Sequence, residues 1–281
     1  MSDTAREALG AIAPYKEAEV LGVKLAYNDD GVGPVIVCLH AIGHGASDYA
    51  RVSKQLRSRY RVIALDWPGH GHSGPDLDAA TPWRYAEILE AFIEQLGLDR
   101  IVFIANSIGG AAAMRYTAAH VQHVRGLVLC NPGGLDRGGK AAALFCRMMA
   151  RFFGAGVRGA TWYAKAFNVY YKSILPSPEA SAQRARIILA GYEMAPILEQ
   201  AWMSFAEAQA DVRALVPQIR CPTQFCWAMR DRFVPFARSK AAVLRFANAR
   251  VEKFEGSGHA AFLEEPAHFH HVLERFLDGL R

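Results

Sequence analysis

Hydrophobic and polar positions in the first half of the chain follow two patterns in turn. Apolar runs of strand length recur at VLGVKLAY (20–27), PVIVCLH (34–40), YRVIALDW (60–67), RIVFIAN (100–106) and VRGLVLCN (124–131). Between the later runs lie stretches with helical spacing: ASDYARVSKQLRSR, PWRYAEILEAFIEQLG and the small-residue segment after Ser107. This alternation predicts a parallel sheet with helices on both faces. The first two runs, joined through NDDGVG, predict an antiparallel hairpin at one edge. After Asn131 the rhythm breaks, and only helical patterns occur as far as about Val216. Strand patterning resumes at CPTQFCWA (221–228), then a helix over 235–247, ARVEKFEG (249–256) and a last helix to Leu280. The expected organisation is one α/β core, 1–135 and 217–281, interrupted over 136–216 by a helical cap or lid.

Composition narrows the class. With 281 residues, 52% hydrophobic and 21% charged, the chain suits a globular protein with one large core. It contains no apolar run of about eighteen residues, and MSDTAREALGAIAPYKEAEV lacks the basic and apolar regions of an export signal, so no stable membrane insertion and a cytoplasmic address are expected. Cys38, Cys130, Cys146, Cys221 and Cys226 are read as reduced, structural thiols, and no metal-ligand spacing is present. Net charge is +5, yet nine cations face two acids between Asp136 and Arg186, a local +7 that leaves −2 elsewhere. Such a basic segment suits a solvated helix face, an anionic substrate or a membrane surface; the chain carries no nucleic-acid-binding motif.

In parallel α/β sheets ligands bind beyond the carboxyl ends of the strands. The residues there are His40-Ala41-Ile42-Gly43-His44, Asp66 to Ser73, Ser107, Asp231 in WAMRDRFVP and His259 in GSGHAAFLEEP. Ser, Asp and His thus follow one another at three strand ends, and Ala105-Asn106-Ser107-Ile108-Gly109 fits small-x-Ser-x-Gly, the nucleophile elbow. A serine on that tight turn presents its hydroxyl at a helix N-terminus. Ser107 is the expected nucleophile, His259 its base and Asp231 the residue that orients the imidazole. The backbone N–H groups of Ile42 and Ile108 are the expected oxyanion hole. Asp136 is an alternative acid, Asp66 is expected to order its Gly-rich loop, and His268, His270 and His271 suit a solvated face of the last helix. His44, His70 and His72 are candidates for the pocket edge.

The ordered motifs LHxxGHG, DxPGHGHS, xNSxGG, WxxRDRFVP and GxGHxxFLEEP resemble the α/β-hydrolase fold superfamily, from about Val20 to the C-terminus. The resemblance implies a mostly parallel eight-stranded sheet with an inserted helical cap, a serine hydrolase mechanism, and neither metal nor organic cofactor. Three positions depart from the family's usual glycine: Ala41, Ala105 and Ala228. Where such a position requires positive φ, alanine is strained.

Within the insertion, GKAAALFCRMMARFFG places Lys140, Arg147 and Arg151 within about 20° of one line on a helix, with Phe145, Met148, Met149 and Phe152 expected opposite. Either these apolar residues pack on the core, or they join Trp162, Tyr163, Phe167, Tyr170 and Tyr171 in walling a substrate pocket. The candidate substrate-binding residues are His40, Phe145, Met149, Trp162, Phe167 and Tyr170. An elbow serine argues against the dehalogenases and epoxide hydrolases of this fold, which use aspartate there. A carboxylic-ester hydrolase acting on a small molecule with an apolar acyl or aryl group is the first expectation. NSIGGAAAMRY and NPGGL also resemble the carbon–carbon hydrolases of meta-cleavage products, although Ala260 follows His259 where that group has tryptophan. A ligand-binding protein on a hydrolase scaffold is the third reading, and a homodimer stays open.

Overall fold

The computed structural model describes residues 14–136 and 138–280. Residues 1–13, most of the segment 1–20 on which the expected absence of an export signal rests, lie outside the described residues, as do Arg137 and Arg281. The elements are β1 (Lys16–Val20), β2 (Val23–Asp30), β3 (Val35–Leu39), α1 (Ala50–Leu56), β4 (Arg61–Leu65), α2 (Pro82–Gln95), β5 (Ile101–Asn106), α3 (Ile108–Ala119) and β6 (Val124–Cys130). Then come α4 (Lys140–Val157), α5 (Tyr163–Ile174), α6 (Ser181–Leu189), α7 (Gly191–Ser204), β7 (Thr223–Ala228), α8 (Phe236–Val243), β8 (Ala249–Phe254), α9 (Ala261–Glu264) and α10 (Pro266–Asp278).

The strands form one eight-stranded sheet in the order β1-β2-β4-β3-β5-β6-β7-β8. Pairing is antiparallel from β1 to β2 and from β2 to β4, and parallel across the rest. The edge hairpin differs from expectation. The run 20–27 is not one strand: it breaks at Leu21-Gly22, with φ of 50° and 77°, and β1 folds back on β2. Two positive φ values in a two-residue loop match the strand twist, so the turn forms even with leucine in its first position. The strand after NDDGVG, β3, does not pair with β2; β4 lies between them.

Burial explains the element choices. β5 is covered on both faces, so all six residues of IVFIAN are buried and the run shows no polar alternation. In α2, Thr81 caps the start by accepting the Arg84 N–H at 3.0 Å, Pro82 fits the first turn, and Tyr85, Ile88, Leu89, Phe92 and Ile93 form the buried stripe. Helix α3 is buried nearly all round, which its small residues permit. Between β6 and β7 the chain runs through α4 to α7, of which α4 and α7 pack on each other most extensively. The register aligns Leu39 with Leu65, and Cys130 with both Asn106 and Cys226, so the segments after these strands gather at the carboxyl ends of the parallel strands. Among the described residues, no helix is long and apolar enough to cross a membrane.

Candidate active site

Two loops at the carboxyl ends of β3 and β4 are fastened by histidines. His40 Nε2 accepts the Trp67 N–H at 3.0 Å, so the proton sits on Nδ1, which donates to the Ala41 carbonyl at 2.7 Å. His70 is the mirror case: Nε2 accepts the Gly43 N–H at 2.9 Å, and Nδ1 donates to the Pro68 carbonyl at 2.9 Å. Both rings are fully buried, and burial drives their pKa values down, that of His70 to about 4. Each loop thereby fixes the other, and Ile42 is held between His40 and Gly43. Asp66 orders the second loop, accepting the N–H groups of Ala46 at 2.6 Å and His72 at 3.1 Å.

Ser107 follows β5 with φ 54° and ψ −118°, a conformation that costs a non-glycine residue on the order of 1–3 kcal/mol. The sequence folds this way because its neighbours are small. A Cβ on Gly109 would lie 2.6 Å from the Leu39 carbonyl oxygen, and one on Gly110 2.7 Å from Pro132 Cβ. Backbone bonds secure the turn: Ser107 N–H donates to the Cys130 carbonyl at 3.1 Å, and its carbonyl accepts from Gly133 at 2.9 Å. Ala41, Ala105 and Ala228 are not among the positive-φ residues, so none carries the strain that replacing glycine could have brought.

Asp231 is buried after β7. Its Oδ1 accepts the N–H groups of Phe233 and Val234 at 2.8 and 2.9 Å; its Oδ2 accepts Asn131 Nδ2 at 2.8 Å and His259 Nδ1 at 2.6 Å. A carboxylate only accepts, so the His259 proton sits on Nδ1 and leaves Nε2 free to take another. Burial works against charge on this ring, but the Asp231 charge and hydrogen bond, with the Glu264 charge behind them, outweigh it and raise the pKa. Two residues in this network are absent from the expectations drawn from sequence. Asn131, at φ 40°, ties β6 to β7 by accepting the Ala228 N–H at 2.7 Å while donating to Asp231. Glu264 Oε1 accepts three consecutive N–H groups, of Gly258, His259 and Ala260, at 2.9 to 3.1 Å. Its Oε2 accepts the Ser177 N–H at 3.3 Å. An asparagine at a strand end and an acid five residues beyond the histidine were the available signals.

Ser107, His259, Ile42 and Ile108 all line one cavity of about 470 Å³. Its wall is aromatic: Phe145, Tyr170, Tyr171, Trp202, Phe205 and Phe233. Ionic groups stand at its rim, where Asp136 pairs with Arg238 at 2.9 Å rather than with His259. Of the expected substrate-binding residues, Phe145 and Tyr170 line the cavity and four do not. His40 is turned inward by its two backbone bonds; Phe167 is wholly buried among Phe153, Tyr163 and Tyr171; Met149 packs on the core; Trp162 is half exposed on the outer surface. Met148 also departs from expectation, lying exposed beside the cations of α4. Of the three histidines weighed for the pocket edge, only His44 lines the cavity, with Nδ1 2.5 Å from Asp48 Oδ2. Trp202, Phe205 and Phe233 are the aromatic lining residues that sequence reasoning missed.

A strained serine between strand and helix, a buried Asp–His pair and a mostly parallel sheet together define a hydrolase scaffold. The chain belongs to the alpha/beta hydrolase fold family, whose model matches residues 34–266. It is 28% identical to the 2-hydroxy-6-oxononadienedioate/2-hydroxy-6-oxononatrienedioate hydrolase 2 of Pseudomonas putida, across 98% of both chains. Among solved structures it is similar to a membrane phospholipase A (TM-score 0.83, 22% identity, 99% of this chain and 91% of that one). It is also similar to the esterase EaEST from Exiguobacterium antarcticum (TM-score 0.81, 20% identity, 94% and 99%).

Proposed function

We propose that the protein is a serine hydrolase of carboxylic esters whose acyl or aryl group is apolar. The observation that carries this is the 2.6 Å bond from His259 Nδ1 to a buried Asp231, in a cavity that His259 shares with the strained Ser107. Ser107 Oγ attacks the ester carbonyl as His259 Nε2 takes its proton, and Asp231 stabilises the imidazolium. The N–H groups of Ile42 and Ile108 receive the oxyanion. His259 then protonates the leaving alcohol, and water repeats the sequence on the acyl-enzyme. Helices α4 to α7 act as the cap, and the wall of Phe145, Tyr170, Trp202 and Phe233 supports an apolar substrate group.

The test is fluorophosphonate labelling of the protein and its Ser107→Ala variant, with turnover of p-nitrophenyl esters of increasing chain length. Labelling confined to the wild type, with a rate maximum along the series, is expected. An unlabelled wild-type protein would move the ligand-binding reading forward. The second reading, hydrolysis of the carbon–carbon bond in vinylogous diketones, is favoured by the Pseudomonas putida relative that matches the chain end to end. Turnover of a meta-cleavage product at a higher kcat/KM than any ester would establish it instead.

A further inference from the structure

Outside the cavity, the most unusual surface is the outer face of α4 and α5. On α4, Lys140, Leu144, Arg147, Met148 and Arg151 are exposed and recur at helical spacing on one side. Along α5 and its N-cap, Trp162, Lys165, Val169 and Lys172 do the same. The apolar members are not marginal: Leu144 is 68% exposed, Val169 64%, Met148 55% and Trp162 54%. Trp162 lies 6.0 Å from Phe152 of α4, which joins the two rows. Neither helix contains an acidic residue, and among the described residues none of the five cations forms an ion pair.

We propose that this face docks on an anionic lipid bilayer. Cations interspersed with large exposed apolar side chains and a tryptophan at the border are what an interfacial helix presents: the apolar groups enter the headgroup boundary while lysine and arginine stay with the phosphates. Charge decides against the other occupants of an apolar face. In a two-fold contact the patch would face its own copy, cations against cations, with no acid on either helix to neutralise them. Duplex nucleic acid would satisfy the cations but leave Leu144, Met148 and Val169 without apolar partners. Gly139, Lys140, Ala142 and Ala143 of the first turn also line the cavity, so a bilayer seated on α4 would meet the cavity rim.

The test is co-sedimentation of the full chain with vesicles of phosphatidylcholine alone or mixed with phosphatidylglycerol, at low and high salt. Binding only to the mixed vesicles, weakened by salt, is expected. Arg147→Glu/Arg151→Glu should weaken it about 30-fold or more, and Arg147→Lys/Arg151→Lys should retain it. The Trp162 emission should shift to the blue with the mixed vesicles, and that shift should vanish in Trp162→Phe. The proposal is overturned if the mixed vesicles are not bound, if the glutamate variant binds as the wild type does, or if Leu144→Ser/Met148→Ser abolishes self-association in vesicle-free solution. It is also overturned if the protein binds duplex DNA at the salt where vesicles are ignored. Vesicle binding is read without substrate, so its outcome is separate from that of the ester assays.

Discussion

Two carboxylates hold His259 by different handles: Asp231 bonds the ring, and Glu264 bonds the backbone on both sides of it. In the proposed reaction His259 must be neutral to accept the Ser107 proton. Its raised pKa therefore places the acid limb of kcat/KM above the ordinary histidine value of about 6.5, with activity lost as pH falls through the limb. Glu264→Gln keeps an acceptor near the three N–H groups but removes the charge. The limb is expected to move to lower pH, and kcat to fall on the order of tenfold to a hundredfold as the loop loosens; a profile that keeps its limb would mean that Glu264 acts only on shape. Asp231→Asn should lower kcat by about 10⁴, because the amide can donate to the ring and favour the wrong tautomer. At this scale the sequence is legible where spacing decides and opaque where ring direction does. Ser107, Asp231 and His259 stand out as strand-end residues. His40 stands at a strand end too, and only the two backbone groups it bonds reveal that it faces inward.

The elements carry a different logic, in which backbone proximity sets the residue. Strand β3 and helix α3 approach so closely at Gly109 that a methyl group would sit 2.6 Å from the Leu39 carbonyl oxygen. Gly109→Ala should therefore push α3 off the sheet, lowering the melting temperature and displacing the Ile108 N–H, while Ala105, already in an ordinary strand conformation, should tolerate glycine without gain. The His40 and His70 loops set a second limit, on pH. A ring kept neutral by burial, with a folded pKa near 4 against about 6.5 unfolded, stabilises fully above pH 6.5, and that contribution is lost as pH falls towards 4. For His70 this amounts to about 3 kcal/mol. Urea unfolding at neutral pH and near pH 4.5 should show His70→Gln, less stable at neutrality, losing markedly less on acidification than the wild type. The central strands and α2 were readable because their buried faces run unbroken, both faces in β5 and one stripe in α2. The edge hairpin was not, because a leucine at positive φ hides the turn that glycine alone would announce.

Across the whole molecule, the helices between β6 and β7 are pinned to the sheet domain by polar ties that no periodicity could reveal. Ser177 donates to Glu264, Ala80 donates its N–H to Gln200 at 3.0 Å, and Asp48 gathers three partners. The run of helices between β6 and β7 was legible as a break in strand rhythm, but its seat was not, since pairs such as Asp48 and Arg186 are 138 residues apart. Asp48 is the strongest tie. It is fully buried, its Oδ2 lies 2.5 Å from His44 Nδ1, and its Oδ1 accepts Gln183 Nε2 at 2.7 Å and Arg186 Nη2 at 3.0 Å from α6. Removing the carboxylate leaves the buried His44 ring without its partner, while the half-exposed Arg186 turns to water: Asp48→Ala should cost about 1–3 kcal/mol, the penalty for a buried polar group left unsatisfied. Arg186→Met loosens the same seat from its exposed end, so its cost should be about 1 kcal/mol at most. If the ties hold the helices down over the cavity, both variants should be cut faster by trypsin within α4 to α7 while α2 and α3 stay resistant. The fold-change should be larger for Asp48→Ala, and KM should rise for short esters before kcat changes. Equal cleavage throughout the chain would instead mean that Asp48 supports the core loop alone, and that the helical segment keeps its seat by apolar packing.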